Sequence, residues 1–366
     1  MHATPIADSS ATVAVDLAKD VFQLAFAAAQ GQRVAQQRCS RAAFARAFDN
    51  LPPRHIVMEA CGSAFHWARL LQRRGHTVTL LPAQYVRPYV RRNKTDRADA
   101  AGLLEAARCG GIRPVPIKTA IQQGTQGLHR IREHHKARRT AAINLARGLL
   151  REFGIAIALG ADKVRPAVRA ALEDGDNELP MPLRHALAGV LEEIESCQAA
   201  MAAIEQALAE IARNDTRGQR LMQAGGVGLI TATAMSAGLG ELARFPTGRH
   251  LASALGLTPR EYSSGSTRRL GRIGKQGDVY LRTLLIHGAR SSLLNAAVRR
   301  KRGLPLNRTQ TWVLALAERK GHNKAAVALA NKTARRLWAA EHHGASFDPD
   351  HVSQRPAPAT CIVAAP

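Results

Sequence analysis

The sequence predicts an α/β domain followed by a longer, mainly α-helical and strongly basic portion. Two observations carry this reading. Between about residues 10 and 110, short apolar runs of strand character alternate with Ala/Leu-rich stretches of helical period, whereas beyond residue 116 helical periodicity dominates. The chain holds 52 Lys and Arg against 28 Asp and Glu, a formal net charge of +24 over 366 residues. That length allows two domains of ordinary size with a real core.

Each element follows in order. Thr12 to Asp16, Phe22 to Ala27 and Arg33 to Arg38 read as a meander of three strands. A helix over Ala42 to Phe48, a strand Ile56 to Glu59, a helix Phe65 to Arg74 and a strand Thr77 to Leu81 come next. Three strands and then alternating helix and strand is the order of a ribonuclease H fold; from pattern alone a doubly wound sheet is the alternative. Asn93 to Ala100 leads into a further helix that runs to Ala107.

Four carboxylates stand at informative places. Asp16 and Glu59 each end an apolar strand, and carboxyl ends of strands are where α/β sheets build sites. Asp96 and Asp99, spaced i, i+3, share one face of the following helix. Mg²⁺ takes oxygen ligands from a few carboxylates and completes its shell with water and phosphate, so the four acids suit a two-metal site that cuts phosphodiesters. Ordinary solvated acids are the alternative for any one of them.

The helical portion changes character along its length. Leu128 to Arg151 carries seven cations (Arg130, Arg132, Lys136, Arg138, Arg139, Arg147, Arg151) against the single acid Glu133. Such a face is either solvated or neutralised by a phosphate backbone. Leu187, Val190, Ile194, Cys197, Met201, Ile204, Leu208 and Ile211 form a heptad seam, expected to pair as an antiparallel hairpin with the basic helix or to make a dimer contact. Ala224-Gly225-Gly226-Val227-Gly228 resembles a helix-hairpin-helix loop whose amides hold a phosphate, or is a plain turn. Arg260 to Arg302 packs eleven Lys and Arg against Glu261 and Asp278. Within it, Ser263-Ser264-Gly265-Ser266 lies among Arg260, Arg268, Arg269, Arg272 and Lys275, a loop able to present a hydroxyl to a phosphodiester. The Pro- and Ala-rich tail after Phe347 has no periodicity and is expected to be disordered.

Composition narrows the partners. The charge points to a polyanion, and nucleic acid leads. No apolar run approaches ~18 residues and the first residues lack the regions of a signal peptide, so a cytoplasmic protein is expected. Five scattered cysteines without a Cys-x-x-Cys pair argue against a disulfide framework or zinc ribbon. The pairs His134-His135 and His342-His343 are adjacent, and adjacent helical residues diverge too far to chelate.

Taken together, the motifs Val15-Asp16-Leu17-Ala18-Lys19-Asp20, Met58-Glu59-Ala60-Cys61-Gly62-Ser63, Asn93-Lys94-Thr95-Asp96-Arg97-Ala98-Asp99-Ala100, Leu255 to Arg260, Ser264-Gly265 and Gly271 to Gly277 resemble the one-ten family of bacterial insertion-sequence transposases. The resemblance spans residues 10 to 340, and Arg138 to Ile155 is most like the family's eleven-eleven branch. It implies a RuvC-like DEDD domain (10–115), a helical coiled-coil connection (116–215), a C-terminal transposase domain (216–345) and a tail (346–366). It further implies Mg²⁺ (or Mn²⁺) on Asp16, Glu59, Asp96 and Asp99, and Ser264 as nucleophile. The implied partners are donor and target DNA, a structured non-coding bridge RNA, and further copies of the chain in a dimer or tetramer whose active sites are composite. Two positions depart from the family pattern: Cys61 stands where Thr is common, and Gly225 where Pro is usual. Two rival readings remain, a RuvC-like nuclease or resolvase that uses water, and a non-catalytic nucleic-acid-binding regulator.

Overall fold

The computed structural model describes residues 12–28, 33–49, 51–90 and 95–351. The chain divides into two compact units at Ala120/Ile121.

In the first unit, β1 (Thr12–Leu17), β2 (Val21–Ala27) and β3 (Arg33–Ser40) form the expected meander. They are followed by α1 (Arg41–Ala47), β4 (His55–Glu59), α2 (Ala64–Arg73), β5 (Thr77–Leu81), the short α3 (Ala83–Val86) and α4 (Asp96–Arg108). The sheet order is β3-β2-β1-β4-β5, with β1, β2 and β3 antiparallel and β1, β4 and β5 parallel. This mixed sheet replaces the doubly wound alternative, whose strands would all run parallel.

Period-two alternation sorts the sheet's side chains onto two faces. Val13, Val15, Phe22, Leu24, Ile56, Met58 and Leu80 meet Phe44, Phe48, Trp67 and Leu71 on one face. There Trp67 and Phe44 pack edge to face with their centroids 5.0 Å apart. The other face is built of small residues, Ala14, Ala25, Ala27 and Val57, against Ala100, Leu103, Leu104 and Ala106 of α4. Alanines let that helix lie close to the strands. Close approach is also enforced at Gly102, where a Cβ would stand 3.0 Å from Val90 Cγ2 and 3.1 Å from the Tyr89 carbonyl. Thr95 caps α4, its hydroxyl accepting from the Ala98 amide.

The second unit is mainly helical. Its helices are α5 (Ala120–Glu152, which begins at the boundary), α6 (Val164–Glu173), α7 (Met181–Arg213), α8 (Thr216–Met222), α9 (Leu229–Leu239) and α10 (Gly248–Ala254). A two-stranded ribbon, β6 (Pro259–Glu261) and β7 (Leu270–Ile273), precedes α11 (Val279–Lys301), α12 (Arg308–Lys320) and α13 (His322–His342). The seam residues Leu187 and Ile194, with Leu191, bury against Ala142, Ile143, Ala146 and Leu150 of α5 and Val164, Val168 and Ala171 of α6. Ion pairs Arg132–Glu205 and Arg138–Glu193 fix the direction, since a rise along α5 matches a fall along α7. The α5–α7 pairing is therefore antiparallel and within one chain.

The glycine loop before α9 is a packing device. Gly226, at φ +85, and Gly288 of α11 approach so closely that a Cβ on either would strike the other's backbone, 2.5 Å from Gly288 O in one case and 1.8 Å from Gly226 O in the other. Buried His129 ties three helices together. Its Nε2 lies 3.1 Å from Thr233 Oγ1, which itself donates to Leu229 O, so the Nε2–H tautomer donates there and Nδ1 accepts from Tyr280 Oη at 3.0 Å. Burial pushes the His129 pKa down to about 4, with the Arg132 charge adding to the effect.

The expectation of a disordered tail is corrected for its first residues. Phe347 packs against the helical core, Pro349 O accepts from Thr309 Oγ1 at 2.6 Å, and His351 O accepts from Arg336 Nη2 at 3.2 Å. An apolar anchor and a half-buried guanidinium that bonds carbonyls give an unpatterned segment a fixed place. Residues 352–366, and Asn93 and Lys94 of the acidic motif, lie outside the described residues.

Candidate active site

The alternation that builds the α4 face also aims the acids. Asp16 follows Ala14 by two residues and Glu59 follows Val57 by two, so both project toward α4. Their strands are adjacent and parallel, with Val15 opposite Met58. Asp96 and Asp99 occupy the first turn of α4, where the helix N-terminus favours negative charge. Carboxylate oxygens of Asp16, Asp96 and Asp99 all lie within 4.8 Å of one another. Glu59 stands outside that triad but lines the same cavity of about 660 Å³ as Asp16 and Asp99, together with Gln84 and Arg87. Asp16, Glu59 and Asp99 are half-buried and Asp96 is exposed.

Among the described residues, Glu59, Asp96 and Asp99 have no ion-pair partner within 4.0 Å. Unit charges that close repel by about 1–3 kcal/mol per pair at effective dielectrics of 20–80. A cluster of hard oxygen donors bearing this repulsion fits a divalent cation such as Mg²⁺ or Mn²⁺. Arg87 and Gln84 escaped sequence reading: they follow β5 on the short α3 and the turn after it, with no motif around them.

Ser264 belongs to the second unit, at the tip of the β6–β7 hairpin. Ser264 pairs with Thr267 across a two-residue turn, their amides and carbonyls bonded at 3.2 and 3.1 Å. Gly265, the first central residue, has φ +54, the conformation that a type II′ hairpin turn asks of glycine. The Ser-Gly pair thus has a local cause. The three serines are not equivalent: Ser263 donates to Glu261 Oε1 at 2.7 Å and accepts from the Arg269 amide at 3.2 Å. Ser264 Oγ has no hydrogen-bond partner among the described residues. Arg260, Arg268, Arg269, Arg272 and Lys275 are exposed around this hairpin, and Arg268 lies 3.4 Å from Glu261.

The hairpin's base is held firmly. Buried Arg282 donates to Leu255 O and Gln276 O, and Asn331 Nδ2 donates to Leu257 O. Gly256 and Gly277 leave no room for a Cβ, which would stand 2.1 Å from Gln276 O and 1.8 Å from Ala254 O. Lys275, with φ +57, is the one non-glycine left-handed residue described.

The cations of α5 fall into two groups. Arg132 is bonded to Glu133 and Glu205, Lys136 to Glu133, and Arg138 to Glu193. These three are paired with the chain's own glutamates. Arg130 is exposed, and Arg139 has a buried Nε with no hydrogen-bond partner among the described residues.

Clustered carboxylates beside a helix N-terminus, in a chain of high positive charge, fit an enzyme that acts on nucleic-acid phosphodiesters. Residues 13–155 match the transposase family DEDD_Tnp_IS110, and residues 218–302 match the Transposase IS116/IS110/IS902 family. A probable family 20 transposase of Pseudomonas aeruginosa is 42% identical over 334 residues, covering 89% of this chain and 95% of its own. The transposase for insertion sequence element IS1111A of Coxiella burnetii is 39% identical, covering 89% and 88%, and that for IS1328 of Yersinia enterocolitica is 31% identical, covering 92% and 98%. The chain belongs to the IS110 family of insertion-sequence transposases. Among the described residues, no helix is long and apolar enough to cross a membrane.

Proposed function

We propose that this transposase cuts and rejoins DNA through a phosphoserine intermediate on Ser264, assisted by divalent metal at the acidic cluster of a RuvC-like, ribonuclease-H-type domain. The observation that carries the reading is the convergence of Asp16, Asp96 and Asp99 oxygens within 4.8 Å, with Glu59 on the same cavity. A bound Mg²⁺ would supply Lewis acidity and neutralise charge on the phosphate. The remaining steps rest on the chain's own groups. Ser264 Oγ attacks phosphorus in line, its proton leaves, and the departing 3′ oxygen takes up a proton as a free hydroxyl. The phosphate stays esterified to serine, so rejoining needs no outside energy. Arg260, Arg268 and Arg272 hold the phosphate, and Arg130, Arg139, Arg269 and Lys275 contact backbone farther along the strand.

The acids and Ser264 sit on separate compact units, which suits a dimer or tetramer with composite sites. Residues 116–215 serve as the helical coiled-coil connection and 216–345 as the transposase domain. The partners are donor and target DNA and a structured bridge RNA from the element, within the cytoplasm. Purified protein is tested on a plasmid carrying the element, with and without its non-coding transcript. Recombination that needs both the transcript and Mg²⁺ is the expected result; equal activity without transcript contradicts guidance by RNA.

A further inference from the structure

Beyond the acidic site and the serine hairpin, one cluster of cations forms no side-chain ion pair among the described residues. Arg249, Arg308, Lys332, Arg335 and Arg336 line a cavity of about 600 Å³ on the helical unit, with Trp338 in its wall. Among the described residues, none of the five side chains forms an ion pair within 4.0 Å, in contrast to Arg132, Lys136 and Arg138 of α5. Lys332 Nζ sits 4.1 Å from the centre of the Trp312 ring. Burial holds its pKa below the ordinary lysine value, and the charges of Arg336, Arg308 and Arg335 lower it further. A second cavity, of about 360 Å³, shares Lys332 and Arg336 and is lined by Phe347 and Pro349.

The segment Phe347-Asp348-Pro349-Asp350-His351 runs along this basic surface. Asp350 Oδ1 accepts from the Arg308 amide at 2.6 Å, and Arg336 Nη1 lies 3.2 Å from Pro349 O. Both Asp348 and Asp350 are near enough to favour the charged form of Arg336, against the burial that lowers its pKa. The segment closes in a turn in which the His351 amide bonds Asp348 O and the Asp350 amide bonds Asp348 Oδ1, and it sets two carboxylates, two residues apart, beside the Arg336 guanidinium, where they compete with phosphate for the same charge.

We propose that the cavity bounded by Arg249, Arg308, Lys332, Arg335 and Arg336 binds a nucleic-acid phosphodiester backbone, and that the acidic segment Phe347–His351 is a built-in competitor which the nucleic acid displaces. Four of the five cations are arginines, which suit bidentate phosphate contacts, and Trp338 offers an aromatic surface beside them. Apart from Arg249, the cations and the whole segment lie beyond residues 218–302, the stretch matched by the transposase family.

The test is fluorescence anisotropy of full-length protein with labelled 20-mers, one duplex DNA and one single-stranded RNA, in EDTA. Because metal-free binding uses neither Ser264 nor the acidic cluster, a different cleavage chemistry would leave this result unchanged. Arg249→Ala with Arg335→Ala, both exposed side chains, is expected to weaken binding about tenfold and to make the log–log salt slope shallower by roughly 0.7–0.9 per lost phosphate contact. Loss confined to DNA or to RNA identifies the source of the backbone. Asp348→Asn with Asp350→Asn is expected to tighten binding at least about threefold, relieving competition. Asp162→Asn with Asp176→Asn changes charge equally on exposed residues elsewhere in the same unit and is expected to do less. Wild-type affinity and slope in the arginine variant overturn the proposal, as does a gain at Asp348 and Asp350 no larger than in the control pair.

Discussion

The acidic cluster and the serine hairpin are built in opposite ways. Asp16 and Glu59 are held by a sheet whose two faces are filled, and Asp99 by a helix pressed close through alanines and Gly102. Ser264 stands on an exposed two-residue turn, and only the base of its hairpin is clamped, by Arg282 and Asn331. A rigid site suits ligands that must keep their geometry, whereas an exposed tip suits a nucleophile that must reach a substrate. Sensitivity to substitution is expected to follow this difference.

The largest expected effect is at the triad. Asp16→Asn or Asp99→Asn should lower recombination at least about 10³-fold, and Asp99→Asn should leave the melting temperature unchanged or raised, because one of a set of mutually repelling carboxylates is neutralised. Recombination kinetics beside a thermal melt check it, and near-normal turnover would break the comparison. Gly102→Ala sharpens it next. The added Cβ presses on Val90 and the Tyr89 carbonyl and should cost about 1–3 kcal/mol in the first unit, by denaturant titration, with activity reduced through the displaced α4.

In the second unit the corresponding weak point is His129. A histidine whose folded pKa lies at about 4, below the unfolded value near 6.5, binds its proton more readily when unfolded. Its stabilisation is full above pH 6.5 and is lost as pH falls toward 4, up to about 3 kcal/mol. Urea titrations across that range should show the second unit weakening, and His129→Gln should flatten the dependence. The smallest effect is on α5, where Arg138→Ala removes an exposed ion pair to Glu193 and should change stability by less than about 1 kcal/mol. Nucleic-acid affinity should hardly move, whereas Arg260→Ala with Arg272→Ala should weaken it.

The same difference explains what could be read in the sequence. Asp16 and Glu59 announce themselves because strand period and strand end coincide, and Asp96 and Asp99 because i, i+3 spacing fixes a helix face. The exclusion of Glu59 from the 4.8 Å triad depends on side-chain placement that spacing does not encode. Ser264 was legible only through resemblance, since spacing does not tell three neighbouring serines apart; the Ser263 bond to Glu261 does. The pairing of Arg132 and Arg138 within α5's basic run could not be read from sequence because their partners, Glu205 and Glu193, lie more than fifty residues away. Arg249, Arg308 and Arg335 went unnoticed for the converse reason: scattered along the chain, they become one cavity wall only when α10, α12 and α13 pack.

The central claim is that Ser264 carries the DNA. A wild-type protein incubated with Mg²⁺ and a nicked DNA substrate should migrate as a covalent adduct after denaturation, with peptide mapping placing the nucleotide on Ser264. Ser263→Ala and Ser266→Ala should keep most of the adduct, and Ser264→Ala should bind DNA yet form none. Robust recombination by Ser264→Ala, with no adduct in any variant, would contradict the account and favour water as the nucleophile.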